Sequence, residues 1–87
     1  MRKKIVAGNW KMNKNVIEAQ QLMFQLLEYK KGNSVNCEVW IAPPSLYLMM
    51  AKDLYENDEI GVFAQDVSEH EKGAYTGEIS ADMLESI

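Results

Sequence analysis

The apolar residues of this 87-residue chain change period repeatedly along its length, and this alternation limits the possible folds more than any single motif does. Ile5-Val6-Ala7 is a short apolar run ending at Gly8, the signature of a buried strand. From Asn15 the pattern turns helical. Val16, Ala19, Met23 and Leu27 recur at spacings of three and four, with Leu22 and Leu26 beside them. Asn15 and Glu18 have the spacing of a capping box. Lys30-Lys31 followed by Gly32 predicts a stop, with cations at the negative end of the dipole and then a residue that tolerates positive φ. A second strand is expected over residues 38–42 and ends at Pro43-Pro44. Pro44 suits the first turn of a helix, whose face is expected to carry Leu46, Met49, Met50 and Leu54. Asn57-Asp58 marks a turn, and residues 60–64 read as a third strand. Residues 65–78 are polar, contain glycine and predict a long loop. Ser80-Ala81-Asp82-Met83-Leu84 then starts a third helix.

Strand, helix, strand, helix, strand, loop, helix is the order of an α/β protein with parallel strands and right-handed crossovers. A parallel sheet is normally covered by helices on both faces or closes into a barrel. Three strands do neither, and leave two open edges and a bare face. The expectation is one partial domain over residues 1–87 that belongs to a larger architecture.

Composition excludes several function classes. A net charge of -4 and a sequence pI near 4.9 argue against nucleic acid or an anionic membrane as the main partner. Cys37 is the single cysteine, so an internal disulfide and a cysteine-rich zinc site are both excluded. Met1-Arg2-Lys3-Lys4 resembles the basic start of a signal peptide. The apolar stretch behind it is too short for a signal core or a membrane span, so a reducing, cytoplasmic setting is expected. Glu69-His70-Glu71 matches no recognised ligand spacing and reads as a solvated loop. Neither GxxxxGK[ST] nor GxGxxG occurs, which counts against a small phosphate-binding protein of those types.

The segment "GNWKMN" at residues 8–13 does not continue the first strand in an obvious way. Taken alone, Lys11 is a solvated loop lysine, Asn9 a turn former and Trp10 a packing residue. Met49-Met50 read as core fillers, and Cys37 as a small buried apolar residue. In context the segment resembles the opening motif of triosephosphate isomerases. "IAPPSLYL" is similar to that family's exit from its second strand, and "AQDVSEHEKGAYTGEIS" to its loop after the third. The resemblance covers essentially the whole chain. Phe63 stands where the family usually has glycine, and Asp66 where it has asparagine.

The resemblance implies the N-terminal part of a (β/α)₈ TIM barrel, a fold of about 250 residues, incomplete within this chain and amounting to its first three βα units. It implies a glycolytic and gluconeogenic isomerase that interconverts dihydroxyacetone phosphate and glyceraldehyde 3-phosphate, without metal or cofactor. In such barrels the site lies at the C-terminal ends of the strands. The resemblance makes Lys11 the catalytic, substrate-binding cation and Asn9 a substrate-binding hydrogen-bond donor, with Trp10 and Met12 anchoring the loop by packing. It places Gln65, Tyr75, Thr76, Gly77 and Glu78 in a loop that contacts the second subunit of a homodimer. The resemblance implies a glutamate base and a histidine electrophile, both expected beyond Ile87. On that reading the 87-residue chain alone is inactive. The alternative is a noncatalytic fragment acting as an interaction module through the same loop.

Overall fold

The computed structural model describes residues 4–33, 36–57 and 59–87. The basic start Met1-Arg2-Lys3 and the Asp58 half of the expected turn lie outside the described residues. The elements run in the expected order: β1 (Ile5–Asn9), α1 (Val16–Gly32), β2 (Glu38–Ala42), a 3₁₀ turn (Ser45–Tyr47), α2 (Leu48–Leu54), β3 (Gly61–Val62) and α3 (Ala81–Glu85). The strands form one open parallel sheet in the order β1-β2-β3. Ile5 pairs with Glu38 and Asn9 with Ala42, and Trp40 pairs with Gly61. All the strand ends therefore point the same way, and the loops leaving them gather at one edge of the sheet.

The capping box forms as the spacing predicts. Glu18 N–H donates to Asn15 Oδ1 over 2.9 Å, and Asn15 N–H donates to Glu18 Oε1 over 3.0 Å. The other end of α1 differs from expectation. Gly32 is the last helical residue and does not take positive φ. The chain leaves through Asn33 in an extended conformation, with Asn33 Nδ2 donating to the Tyr29 carbonyl over 2.7 Å. A side-chain amide, in place of a left-handed glycine, gives one of the last carbonyls a partner.

Helices α1 and α2 bury their apolar stripes in one core. Ala19, Met23 and Leu27 of α1 meet Ile41 of β2, Tyr47, Ala51, Tyr55 and Ile60, with Val39 and Val62 packed against them. Alternation along the strands puts Val39, Ile41, Ile60 and Val62 on one face, toward both helices. Each fully buried aliphatic or methionine side chain contributes about 1.5–3 kcal/mol. The expected α2 face is rotated. Leu46 and Met49 are exposed, whereas Tyr47, Leu48, Ala51 and Tyr55 point inward and Met50 and Leu54 are half-buried. The 3₁₀ turn shifts the phase of the helix, so a stripe counted from Leu46 lands outside. Val16 likewise lies outside the α1 stripe.

The opposite face carries Ile5, Ala7, Trp40 and Phe63. The rings of Trp40 and Phe63 are tilted at 54° with centroids 6.3 Å apart. Strand β1 is not buried: Ile5 and Val6 are both more than half exposed, because among the described residues β2 is the one strand beside them. The apolar character of β1 is thus unused within this chain. Strand β3 is two residues long rather than the expected five, since the chain diverges from β2 at Phe63 after one last backbone bond to Ile41.

Candidate functional site

The segment after β1 is held by polar contacts at nearly every residue. Trp10 N–H donates to the Ala42 carbonyl over 3.1 Å, tying the exit of β1 to the end of β2. Lys11 N–H donates to Asn9 Oδ1 over 2.8 Å, and Asn13 Nδ2 donates to the Trp10 carbonyl over 2.7 Å. The buried Tyr47 hydroxyl donates to the Lys14 carbonyl, also over 2.7 Å. Gln65, one residue after the segment expected as the third strand, donates from Nε2 to the Lys11 carbonyl over 2.9 Å and to the Ala42 carbonyl over 2.8 Å.

These contacts hold an unfavourable backbone. Lys11 has φ 56 and Lys14 has φ 79, both in the left-handed region. Crowding of Cβ against the carbonyl makes such a conformation cost about 1–2 kcal/mol for a residue with a side chain. No glycine relieves that cost at either position. Hydrogen bonds on both sides of Lys11, and on the peptide that follows Lys14, offset it.

Asn9 and Lys11 are both exposed at the C-terminal end of β1. Among the described residues no carboxylate lies within ion-pair distance of the Lys11 ammonium. An unneutralised cation beside an asparagine, on a stiffened loop, can receive an anion without first giving up a partner. Trp10 is half-buried and packs against the core. Met12 is 95% exposed, so the expected anchoring by packing holds for Trp10 and not for Met12. The anchor on that side of the loop is polar, through Asn13 and Tyr47.

The long loop after β3 has its own order. Ser68 N–H donates to the Ile79 carbonyl over 2.7 Å and closes its base. His70 and Tyr75 stack with centroids 3.9 Å apart and planes within 3°. His70 Nε2 lies 3.5 Å from a Glu69 carboxylate oxygen. Gly73 and Gly77 take positive φ, and Glu78 N–H donates to the Tyr75 carbonyl over 3.0 Å. Tyr75, Thr76, Gly77 and Glu78 are exposed, while Gln65 turns its amide back onto its own chain. The residues expected to contact a second subunit therefore divide into an outward tip and an inward-facing amide. A depression of about 440 Å³ lies elsewhere, beside β2 and β3, lined by Lys30, Trp40, Lys52, Tyr55 and Glu59. Its lining draws on both β2 and β3 and includes neither Asn9 nor Lys11.

A family model for triosephosphate isomerase matches residues 4–87. The chain belongs to the triosephosphate isomerase family. It is 53% identical over its whole length to the triosephosphate isomerase of Flavobacterium psychrophilum, of which it covers 34%. It is 49% identical to that of Flavobacterium johnsoniae and 47% identical to that of Chlorobium phaeobacteroides, again over all 87 residues, covering 34% and 35% of those proteins. The chain thus spans about a third of the length of these relatives. The open three-stranded parallel sheet is consistent with the N-terminal part of the triosephosphate isomerase barrel. Among the described residues no helix is long and apolar enough to cross a membrane.

The inward contacts of Tyr47 and Gln65 onto the loop were not legible from sequence. Tyr47 falls between the residues of the expected helix face, and Gln65 is the first residue of the expected loop. Their partners lie 33 and 54 residues away, and no local spacing reports such a pairing.

Proposed function

We propose that this chain forms the first three βα units of a triosephosphate isomerase, interconverting dihydroxyacetone phosphate and glyceraldehyde 3-phosphate in the cytoplasm as a homodimer. The observation that carries the reading is Lys11 itself, set in a left-handed backbone at the C-terminal end of β1, with Asn9 fixing its amide. Strain of this kind gathers at sites where a side chain must be aimed.

The substrate brings a phosphate, and negative charge grows on oxygen as a proton leaves carbon. A fixed ammonium answers both. At about 4 Å and an effective dielectric near 20, a unit charge pair amounts to about 4 kcal/mol. Expressed only in the transition state, that is about three powers of ten in rate. Asn9 carries a side-chain amide beside the cation. Its Oδ1 is used by Lys11 N–H, which leaves the amide nitrogen as a donor toward substrate. Proton transfer at carbon needs a base and an acid, which the proposal assigns to further units of the barrel. The isolated chain is then inactive.

The test is a chimera in which this chain replaces the matching residues of the Flavobacterium psychrophilum relative. The chimera should interconvert the two triose phosphates, and the 87-residue chain alone should not. Lys11→Met should lower kcat/KM by about a thousandfold. A folded chimera without turnover supports the noncatalytic module instead. Turnover by the purified isolated chain would overturn the assignment of base and acid to later units.

A further inference from the structure

Two peptide planes flank the Cα of Lys11, and each is fixed by a different side chain. The N–H on the N-terminal side donates to Asn9 Oδ1, which sets φ. The carbonyl on the C-terminal side accepts from Gln65 Nε2, which sets ψ. Asn9 is two residues away and its contact is a local turn. Gln65 is 54 residues away, at the exit from the third strand. Its second amide hydrogen goes to the Ala42 carbonyl, which also accepts from Trp10 N–H. One carboxamide therefore ties together the exits of all three strands and uses both of its donors in doing so.

We infer that Gln65 is a positioning residue for Lys11, holding the left-handed backbone from which the ammonium is presented. A loop lysine released from this contact returns to the common right-handed or extended regions, because among the described residues no other hydrogen bond reaches its carbonyl. The ammonium then departs from the site even though its charge is unchanged. The inference rests on the isomerase reading for its kinetic consequence, but its structural content does not.

Gln65→Met keeps the length of the side chain and removes both donors. In the chimera it should lower kcat/KM by about ten- to a hundredfold, the scale of an ångström-sized misplacement of a reacting group. Loss of two hydrogen bonds also lowers stability, so kinetics alone do not separate positioning from support. A double-mutant cycle does. If Gln65 acts through Lys11, Gln65→Met should add little in a Lys11→Met background. Multiplication of the two losses would overturn the inference. The second readout needs no activity. The amide NMR resonance of Lys11 should shift in Gln65→Met, while lysines outside the loop, such as Lys52, keep theirs. An unmoved Lys11 resonance would overturn the clamp. If the unmutated chimera has no turnover, the isomerase reading falls, and the Lys11 resonance still decides whether Gln65 holds the loop.

Discussion

The Tyr55 hydroxyl donates to the Met23 carbonyl over 2.6 Å inside the core, joining the C-terminal end of α2 to the middle of α1. The two helices thus share a polar bond as well as an apolar seam. Tyr55 is 2% exposed, and burial, followed by the nearby Glu59 carboxylate, raises its hydroxyl pKa well above the ordinary value of 10.0. The neutral hydroxyl is the form that the fold accepts. The folded pKa lies above the unfolded one, so this contribution is complete below about pH 10 and is lost as pH rises beyond it. Tyr55→Phe should cost about 1 kcal/mol at neutral pH. It should also flatten the alkaline decline relative to the unmutated chain. Denaturant titrations at neutral pH and above pH 10 check both. Parallel alkaline declines in the two proteins would show that Tyr55 ionisation is not coupled to unfolding.

Gly61 and Trp40 make a second pair across β2 and β3. They are register partners, and a Cβ built on Gly61 would overlap the indole of Trp40. Gly61→Ala therefore forces the ring to move, at a cost of about 1–3 kcal/mol. The cause is the ring and not the backbone, since Gly61 has no positive φ. Trp40→Val should therefore make Gly61→Ala nearly silent. Equal destabilisation of both backgrounds by Gly61→Ala, measured by thermal unfolding, would contradict this account.

Asn15 caps α1 and stands directly after the strained Lys14. Asn15→Ala removes the acceptor for Glu18 N–H and should cost about 1 kcal/mol. Asn15→Asp keeps the acceptor and adds charge favourable to the helix N-terminus, so stability should be retained. Amide exchange at Glu18 reports the cap directly. Exchange should accelerate in the alanine variant and stay slow in the aspartate variant; the opposite order would remove the cap from the account of α1.

Local rules read well where both partners lie within one turn. Asn15 with Glu18, and Ser80 accepting from Met83 N–H over 3.1 Å, are capping contacts between residues three apart, and helix starts were expected at both places. The order and direction of the strands followed from the alternation of periods. Burial was less legible. Met12, Val16, Leu46 and Met49 are apolar residues that this chain leaves exposed, while Tyr47 and Tyr55 are buried and bond their hydroxyls to backbone carbonyls. A hydropathy pattern ranks these residues in the wrong order because it cannot see which faces have partners. Asn9 and Lys11 were legible as a motif. The conformation of Lys11 was not, because Gln65 contributes to it from across the fold.

The tip of the loop after β3 bears the remaining prediction. The stack of His70 on Tyr75 and the Ser68–Ile79 bond give it a fixed base. Gly73, at φ 132, admits the Tyr75 ring where a Cβ would press to 3.0 Å. Thr76 is thereby exposed on a braced turn, between Tyr75 and a Gly77 in positive φ. A long loop held in this way is more than a connection requires. On the proposed reading it reaches a second subunit near that subunit's own Asn9 and Lys11. Thr76→Arg adds bulk and a cation where a small polar residue would dock, and the added charge would meet the cation of Lys11. A loss of about 2 kcal/mol, or about thirtyfold in the dimer dissociation constant, is the scale expected for a central contact. In the chimera, sedimentation should move toward monomer and specific activity should fall with it, both recovering as protein concentration rises. Sedimentation identical to the unmutated chimera would remove Thr76 from any subunit contact. Lost activity in a dimer of unchanged stability would show that Thr76 bears on the site without holding the subunits together.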